Sequence, residues 1–247
     1  ADTGPKCLDG SPAGFYSSLN TSSTDWVFFL EGGGLCVEPI DCLQRTKTDL
    51  GSSKNWAKTY TDGSNVLATG DFNPFRFANK VYLPYCSGDT WVGNGTVKDL
   101  LVGDLYTEGH RIVKATVQHF LQTSPLGTGS PRVLLSGGSA GGIGTFHNAD
   151  FLTGWLPHAT VKAAPQAGWY IPQGVRLYPE YLLGLDTPID GLEAWWVGGL
   201  FEDEALDVTC VKQHAGSGMT RRSCWDVPTA FEYISTPLFI AENIFDE

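Results

Sequence analysis

The chain has 247 residues, 42% of them hydrophobic and 17% charged, enough to bury the core of a single α/β domain over residues 1–247. Its formal net charge of −11, with 16 Lys and Arg against 27 Asp and Glu, argues against a nucleic-acid partner and disfavours an anionic membrane surface. No apolar run approaches the roughly 20 residues of a membrane span, and no charged-then-apolar leader opens the chain, so a processed form with no membrane span is expected.

In chain order, Asp25-Trp26-Val27-Phe28-Phe29-Leu30 reads as a buried strand followed by the loop Glu31-Gly32-Gly33-Gly34-Leu35-Cys36. Lys80-Val81-Tyr82-Leu83-Pro84 is a second short strand. Residues 110–122 place Ile112, Val113, Val117, Phe120 and Leu121 at helical spacing, and Pro125 closes the segment. Arg132-Val133-Leu134-Leu135 forms a strand that runs into the turn around Ser139, and a helix over 142–150 leaves that turn. Val161-Lys162-Ala163-Ala164 and Pro237-Leu238-Phe239-Ile240-Ala241 are further strand candidates. Residues 177–224 carry a weak signal, with a helix expected over 191–199. Strands alternating with helices imply a mostly parallel sheet covered on both faces.

Six cysteines and two N-glycosylation sequons, at Asn20-Thr21-Ser22 and Asn94-Gly95-Thr96, fit an oxidising, extracellular compartment. The cysteines lack the paired C-x2-C spacing of a zinc site, and among the histidines only His214 is close to one, Cys210, so disulfides are expected rather than a metal. Cys36 and Cys42 are near enough to clasp one loop, as are Cys210 and Cys224. That leaves Cys7 and Cys86 to staple the N-terminal segment to the core, although six cysteines admit other pairings.

The chemical signal is Leu134-Leu135-Ser136-Gly137-Gly138-Ser139-Ala140-Gly141-Gly142, a G-x-S-x-G sequence between a strand and a helix. So tight a turn needs almost no side chain beside the serine, and Gly137 and Gly141 meet that need. Ser139 is the expected nucleophile. The N–H groups of Ala140, Gly33 and Gly34 are the expected oxyanion donors, because Gly32-Gly33-Gly34 follows a strand and leaves a substrate carbonyl unobstructed. No Lys-Ser or Lys-Thr follows the glycines, which disfavours a phosphate loop. Asp246, just past a late strand, is the expected triad acid, with Glu247 a lesser candidate. The base should follow it, yet the five histidines, at 110, 119, 147, 158 and 214, all precede Asp246. His110 and His119 lie on one helix as surface or packing residues and His147 is structural, while His158 and His214 fall in loops.

Taken in order, these residues resemble the pectin acetylesterase and Notum family of carboxylesterases. The likeness runs from Cys7-Leu8-Asp9-Gly10-Ser11-Pro12 through Leu30-Glu31-Gly32-Gly33-Gly34, Leu50-Gly51-Ser52-Ser53 and Tyr85-Cys86-Ser87-Gly88-Asp89 to the Ser139 turn, His147-Asn148-Ala149-Asp150 and Phe245-Asp246-Glu247. The resemblance implies an α/β-hydrolase fold, a Ser-His-Asp triad and secretion. It assigns Ser139 and Asp246 to the triad and Gly33, Gly34 and Ala140 to the oxyanion hole, and it supports pairing Cys7 with Cys86 and Cys36 with Cys42. Two departures stand out. Leu35 replaces the aromatic residue usual before the loop cysteine, which alters the pocket wall. The family's histidine lies in a C-terminal segment beyond these residues, so the base is expected on a further segment or a companion polypeptide.

The function expected is that of a secreted serine carboxylesterase, acting on O-acetyl groups of an extracellular or cell-wall polysaccharide such as pectin. A fatty-acyl ester would need a deep apolar pocket, for which Leu35 and Trp91 are candidate walls. The competing reading is a non-catalytic scaffold or glycan-binding protein that reuses the fold. Triad chemistry requires no cofactor and no metal.

Overall fold

The computed structural model describes residues 4–36, 38–61, 65–99, 102–169, 205–214 and 224–243. The expected helix over 191–199 and the candidates Asp246 and Glu247 lie outside the described residues.

Strand β2 (Asp25–Leu30) is buried at every position after Asp25, as a strand covered on both faces must be. It lies at the centre of a five-stranded sheet. The sheet order is β1 (Tyr16–Ser18), β3 (Asn79–Leu83), β2, β6 (Arg132–Gly138) and β7 (Thr160–Gln166), and every neighbouring pair is parallel except β1 with β3. Residues 237–241 lie along the open side of β7, where Ala163 N–H donates to Pro237 O and Phe239 N–H to Ala163 O. The expected strand is therefore a bridged segment. Pro237 has no N–H to donate, which thins its ladder.

One face of the sheet is covered by α2 (Gly109–Thr123) and α3 (Ala140–Trp155). Trp26, Phe28 and Leu30 pack there with Ile112, Val117, Phe120, Ala149 and Leu152 in one buried cluster. Phe120 meets both Trp26 and Phe28 at ring-centroid distances of 5.4 and 6.1 Å. The opposite face presents Val27, Phe29 and Tyr82, covered among the described residues by Val66, Leu67, Phe75 and Ala78. Among the described residues, this face is covered by a short 3-10 turn (Asn65–Leu67) and loops.

Beside this core, β4 (Gly95–Asp99) and β5 (Gly103–Thr107) form an antiparallel hairpin. Three short helices, α1 (Pro39–Arg45), α4 (Val208–His214) and α5 (Val227–Phe231), complete the described elements. The three disulfides are Cys7–Cys86, Cys36–Cys42 and Cys210–Cys224, the pairs expected from the sequence. No helix of the described residues is long and apolar enough to cross a membrane.

The chain leaves β2 toward β3 on one side, and β6 then pairs with β2 on the other. The C-terminal ends of β2 and β6 thus flank the point where the winding of the sheet reverses, where open α/β sheets place their ligand crevice. The Gly32–Gly34 loop leaves one of these ends and the Ser139 turn leaves the other.

Candidate active site

Ser139 stands between β6 and α3 at φ +55°, ψ −120°, a backbone conformation rare for any residue with a side chain. Two contacts hold it there. Its N–H donates to Gln166 O at 2.9 Å, and its own carbonyl accepts Ile143 N–H at 3.0 Å to open the helix. The turn is glycine-lined because it is pressed against β2. A side chain at Gly137 would meet Leu30 O and Gly141 O, and one at Gly141 would strike Leu30 O. A Cβ on Gly142 would likewise strike Gln166 O and crowd Gly168 on the β7 side, and Gly144 backs onto the indole of Trp91. The glycines that mark the motif are thus the contact points of α3 with its neighbours. Ser139 itself is half-buried.

The loop after β2 approaches the same serine. A Cβ placed on Gly32 would lie 3.1 Å from Ser139 Cβ and 2.5 Å from Gly138 O, so only glycine lets the two turns touch. Gly33 and Gly34 follow with φ of +149° and +68°. Among the described residues neither donates its N–H to a backbone acceptor. Ala140, at the first position of α3, has no intrahelical acceptor for its N–H either. The serine and the three expected donors therefore converge on one end of the sheet.

Behind the loop lies a scaffold that sequence reasoning did not supply. Glu31 Oε2 accepts Tyr85 N–H at 2.7 Å, Glu31 O accepts Trp91 Nε1–H at 2.9 Å, and Cys36 N–H donates to Gly88 O at 3.1 Å. Arg45 donates from Nη2 to Gly33 O at 2.7 Å and from Nε to Leu50 O at 3.0 Å, with its guanidinium 5.1 Å from the Tyr85 ring. Trp91 is fully buried, so its place is behind the glycine loop rather than on an open pocket wall. Leu35 is half-buried at the loop exit.

Trp91 and its predecessor Thr90 both have positive φ, of 67° and 55°. Asp89 holds this bend: one carboxylate oxygen accepts Ser87 Oγ–H and Trp91 N–H, and the other accepts Gly109 N–H at the start of α2. Burial pushes the Asp89 carboxyl above its usual range, opposed by the Ser87, Gly109 and Trp91 hydrogen bonds. Gly93 and Gly109 are glycine because a Cβ on either would strike that carboxylate.

The histidines are engaged in packing. Buried His147 meets Trp225 O through Nε2 at 2.8 Å, and burial pulls its pKa down to about 4 against the opposing carbonyl bond. His110 meets Asn148 Oδ1 through Nδ1 at 2.8 Å and is likewise lowered to about 4 by burial. His119 packs on Phe15 and Phe120, and His158 Nε2 meets Leu126 O. His214 ends helix α4 rather than lying in a loop, beside Cys210 O. Cys210, His214 and Cys224 cluster, but the two sulfurs are bonded to each other and offer no thiolate to a metal.

A family model described as Pectinacetylesterase matches residues 1–247, the whole chain. The chain belongs to the pectinacetylesterase family. Mouse "Palmitoleoyl-protein carboxylesterase NOTUM" is 34% identical across all of the chain, which covers 49% of that protein, and the Drosophila protein of the same name is 29% identical with 37% covered. The Drosophila Wnt deacylase Notum, a solved structure, superposes with a TM-score of 0.79 at 28% identity, covering 100% of this chain and 70% of the other. Its α/β-hydrolase fold is therefore that of this pectinacetylesterase-family chain. The chain spans about half the length of the mouse relative.

Proposed function

We propose that this chain carries the nucleophile and oxyanion site of a secreted serine carboxylesterase. The observation that carries the reading is Ser139 held at φ +55° on the β6–α3 turn with Gly32 packed against it. Ser139 Oγ attacks an ester carbonyl while a histidine takes its proton; the N–H groups of Gly33, Gly34 and Ala140 receive the oxyanion. The carbon–oxygen bond to the alcohol then breaks and the histidine returns the proton to the departing alcohol. Water, deprotonated by the same histidine, releases the acid from the acyl-serine. Asp246 orients the imidazole. The base comes from beyond these residues, on a further segment or a companion polypeptide, in keeping with relatives about twice as long.

Acetyl esters of an extracellular polysaccharide are the first substrate class, supported by the family description. The names of the Notum relatives favour a second, a long-chain acyl ester. Three disulfides support an extracellular setting, where Asn20 and Asn94 are glycan acceptors.

Labelling the full-length protein with a fluorophosphonate and mapping the peptide tests the reading. Modification at Ser139, abolished in Ser139→Ala, is expected. A folded protein that fails to label points instead to a scaffold or glycan-binding role. Comparing turnover of acetyl and octanoyl esters on one leaving group separates the two substrate classes.

A further inference from the structure

We infer that Arg45 is a positioning residue for the oxyanion site, setting the direction of the Gly34 N–H from behind the loop. The inference rests on the esterase reading above. In a trans peptide the carbonyl and the following N–H point in opposite directions across one rigid plane. Gly33 O is taken by Arg45 Nη2 at 2.7 Å, so the Gly34 N–H of the same plane is turned away from the guanidinium. Without that bond the plane has little to stop it rotating, because glycines at φ +149° and +68° adopt either orientation without side-chain hindrance.

The guanidinium is itself held on several sides. Its Nε donates to Leu50 O at 3.0 Å and its Cζ lies 5.1 Å from the centroid of Tyr85, the ring whose hydroxyl accepts Thr90 N–H. Leu50 and Tyr85 are also the side chains that a Cβ on Gly33 would meet, so one cluster grips the loop by its carbonyl and by its flank. Arg45 arrives there through a covalent tie. Cys42, three residues before it on α1, is bonded to Cys36 at the exit of the glycine loop. The fork geometry matters: a lysine has no second, fixed donor with which to hold Leu50 O and Gly33 O together.

The test uses the full-length protein and the variants Arg45→Lys and Arg45→Ala, with circular dichroism and unfolding midpoints to establish the fold. KM for a simple ester should stay near the wild-type value while kcat falls about 10- to 100-fold, less for lysine than for alanine, a fraction of what losing an oxyanion donor costs. Affinity for a trifluoromethyl ketone, which forms a tetrahedral adduct on the serine, should fall in proportion to kcat. Affinity for the product acid should not change. Added methylguanidinium should restore part of the lost kcat in Arg45→Ala. A folded variant with wild-type kcat, or one that loses kcat without losing ketone affinity, overturns the proposal. Absence of fluorophosphonate labelling in the wild type would sink the esterase reading instead, so the two failures are told apart.

Discussion

At the scale of single residues, the nucleophile is shaped by its near neighbours in the chain and braced by groups that come from far along it. Ser139 and its glycines lie within a few positions of one another, so a short motif announces them. Arg45 and Asp89 act on residues 12 and 20 positions away, and no local spacing announces either role. Asp89 sits in Ser-Gly-Asp-Thr, which reads as an ordinary turn. The strained serine gives a stability prediction that is independent of activity. In regular structure alanine is more stable than glycine by roughly 0.5–1 kcal/mol. At this positive φ the order should invert, with Ser139→Gly more stable than Ser139→Ala by about 1 kcal/mol in urea titrations and both inactive. The two buried imidazoles give a pH prediction. His147 and His110 have folded-state values near 4 against an ordinary 6.5, so between these limits the unfolded chain binds more protons. Stability should be flat above about pH 7 and fall as pH drops from about 6.5 toward 4, by up to roughly 3 kcal/mol for each ring. The raised carboxyl of Asp89 opposes this at the acid end. His147→Gln, which can still donate to Trp225 O, should flatten its share of the slope.

At the scale of elements, legibility followed length and periodicity. The helix expected over 110–122 is Gly109–Thr123, and the strand expected over 25–30 is Asp25–Leu30, because each buries a clear face or its whole length. The β4–β5 hairpin was missed: its connection contains Leu100, Leu101 and Val102, an apolar run where turn residues would have marked it. Strand β1 has three residues, and α1 has seven with no side-chain cap, both below what a pattern can reveal. Helix α3 runs on to Trp155, past the expected 142–150; its first ten residues are all buried and show no polar stripe, and of its last five only Leu152 is buried, so no apolar period marks where it ends. The disulfides divide into two kinds of service. Cys7–Cys86 spans 79 positions and Cys36–Cys42 only 6, so chain entropy predicts losses of about 4 and about 2 kcal/mol for the respective double serine variants. Turnover should rank the other way, since only the shorter bridge ties the glycine loop to Arg45. Unfolding midpoints and kcat for the two variants check both orders.

For the whole molecule, the family resemblance implied the α/β-hydrolase architecture, and the likeness to Drosophila Notum bears that architecture out. What composition adds is the charge. These residues carry −11, so an acidic polysaccharide approaches against a repulsive field that salt screens over about 10 Å at 0.1 M. On the proposed polysaccharide reading, deacetylation of acidic pectin should accelerate between about 10 and 100 mM salt, whereas deacetylation of a neutral acetyl ester should not. Equal salt responses from the two substrates would show that overall charge plays no part in substrate approach.

The central place of β2 has a consequence for how the molecule is made. Hydrogen bonds link its first residue to partners 54 and 107 positions later in the chain, on the two strands that flank it. Trp26 to Leu30 is thus synthesised before both partners, and one edge of this apolar ribbon stays unpaired until β6 has emerged. Pairings this distant in sequence slow folding and leave sticky edges exposed meanwhile. Recovery of the native state after dilution from denaturant should therefore decline steeply with protein concentration, and a chaperone that shields this ribbon should raise the yield without altering the final stability.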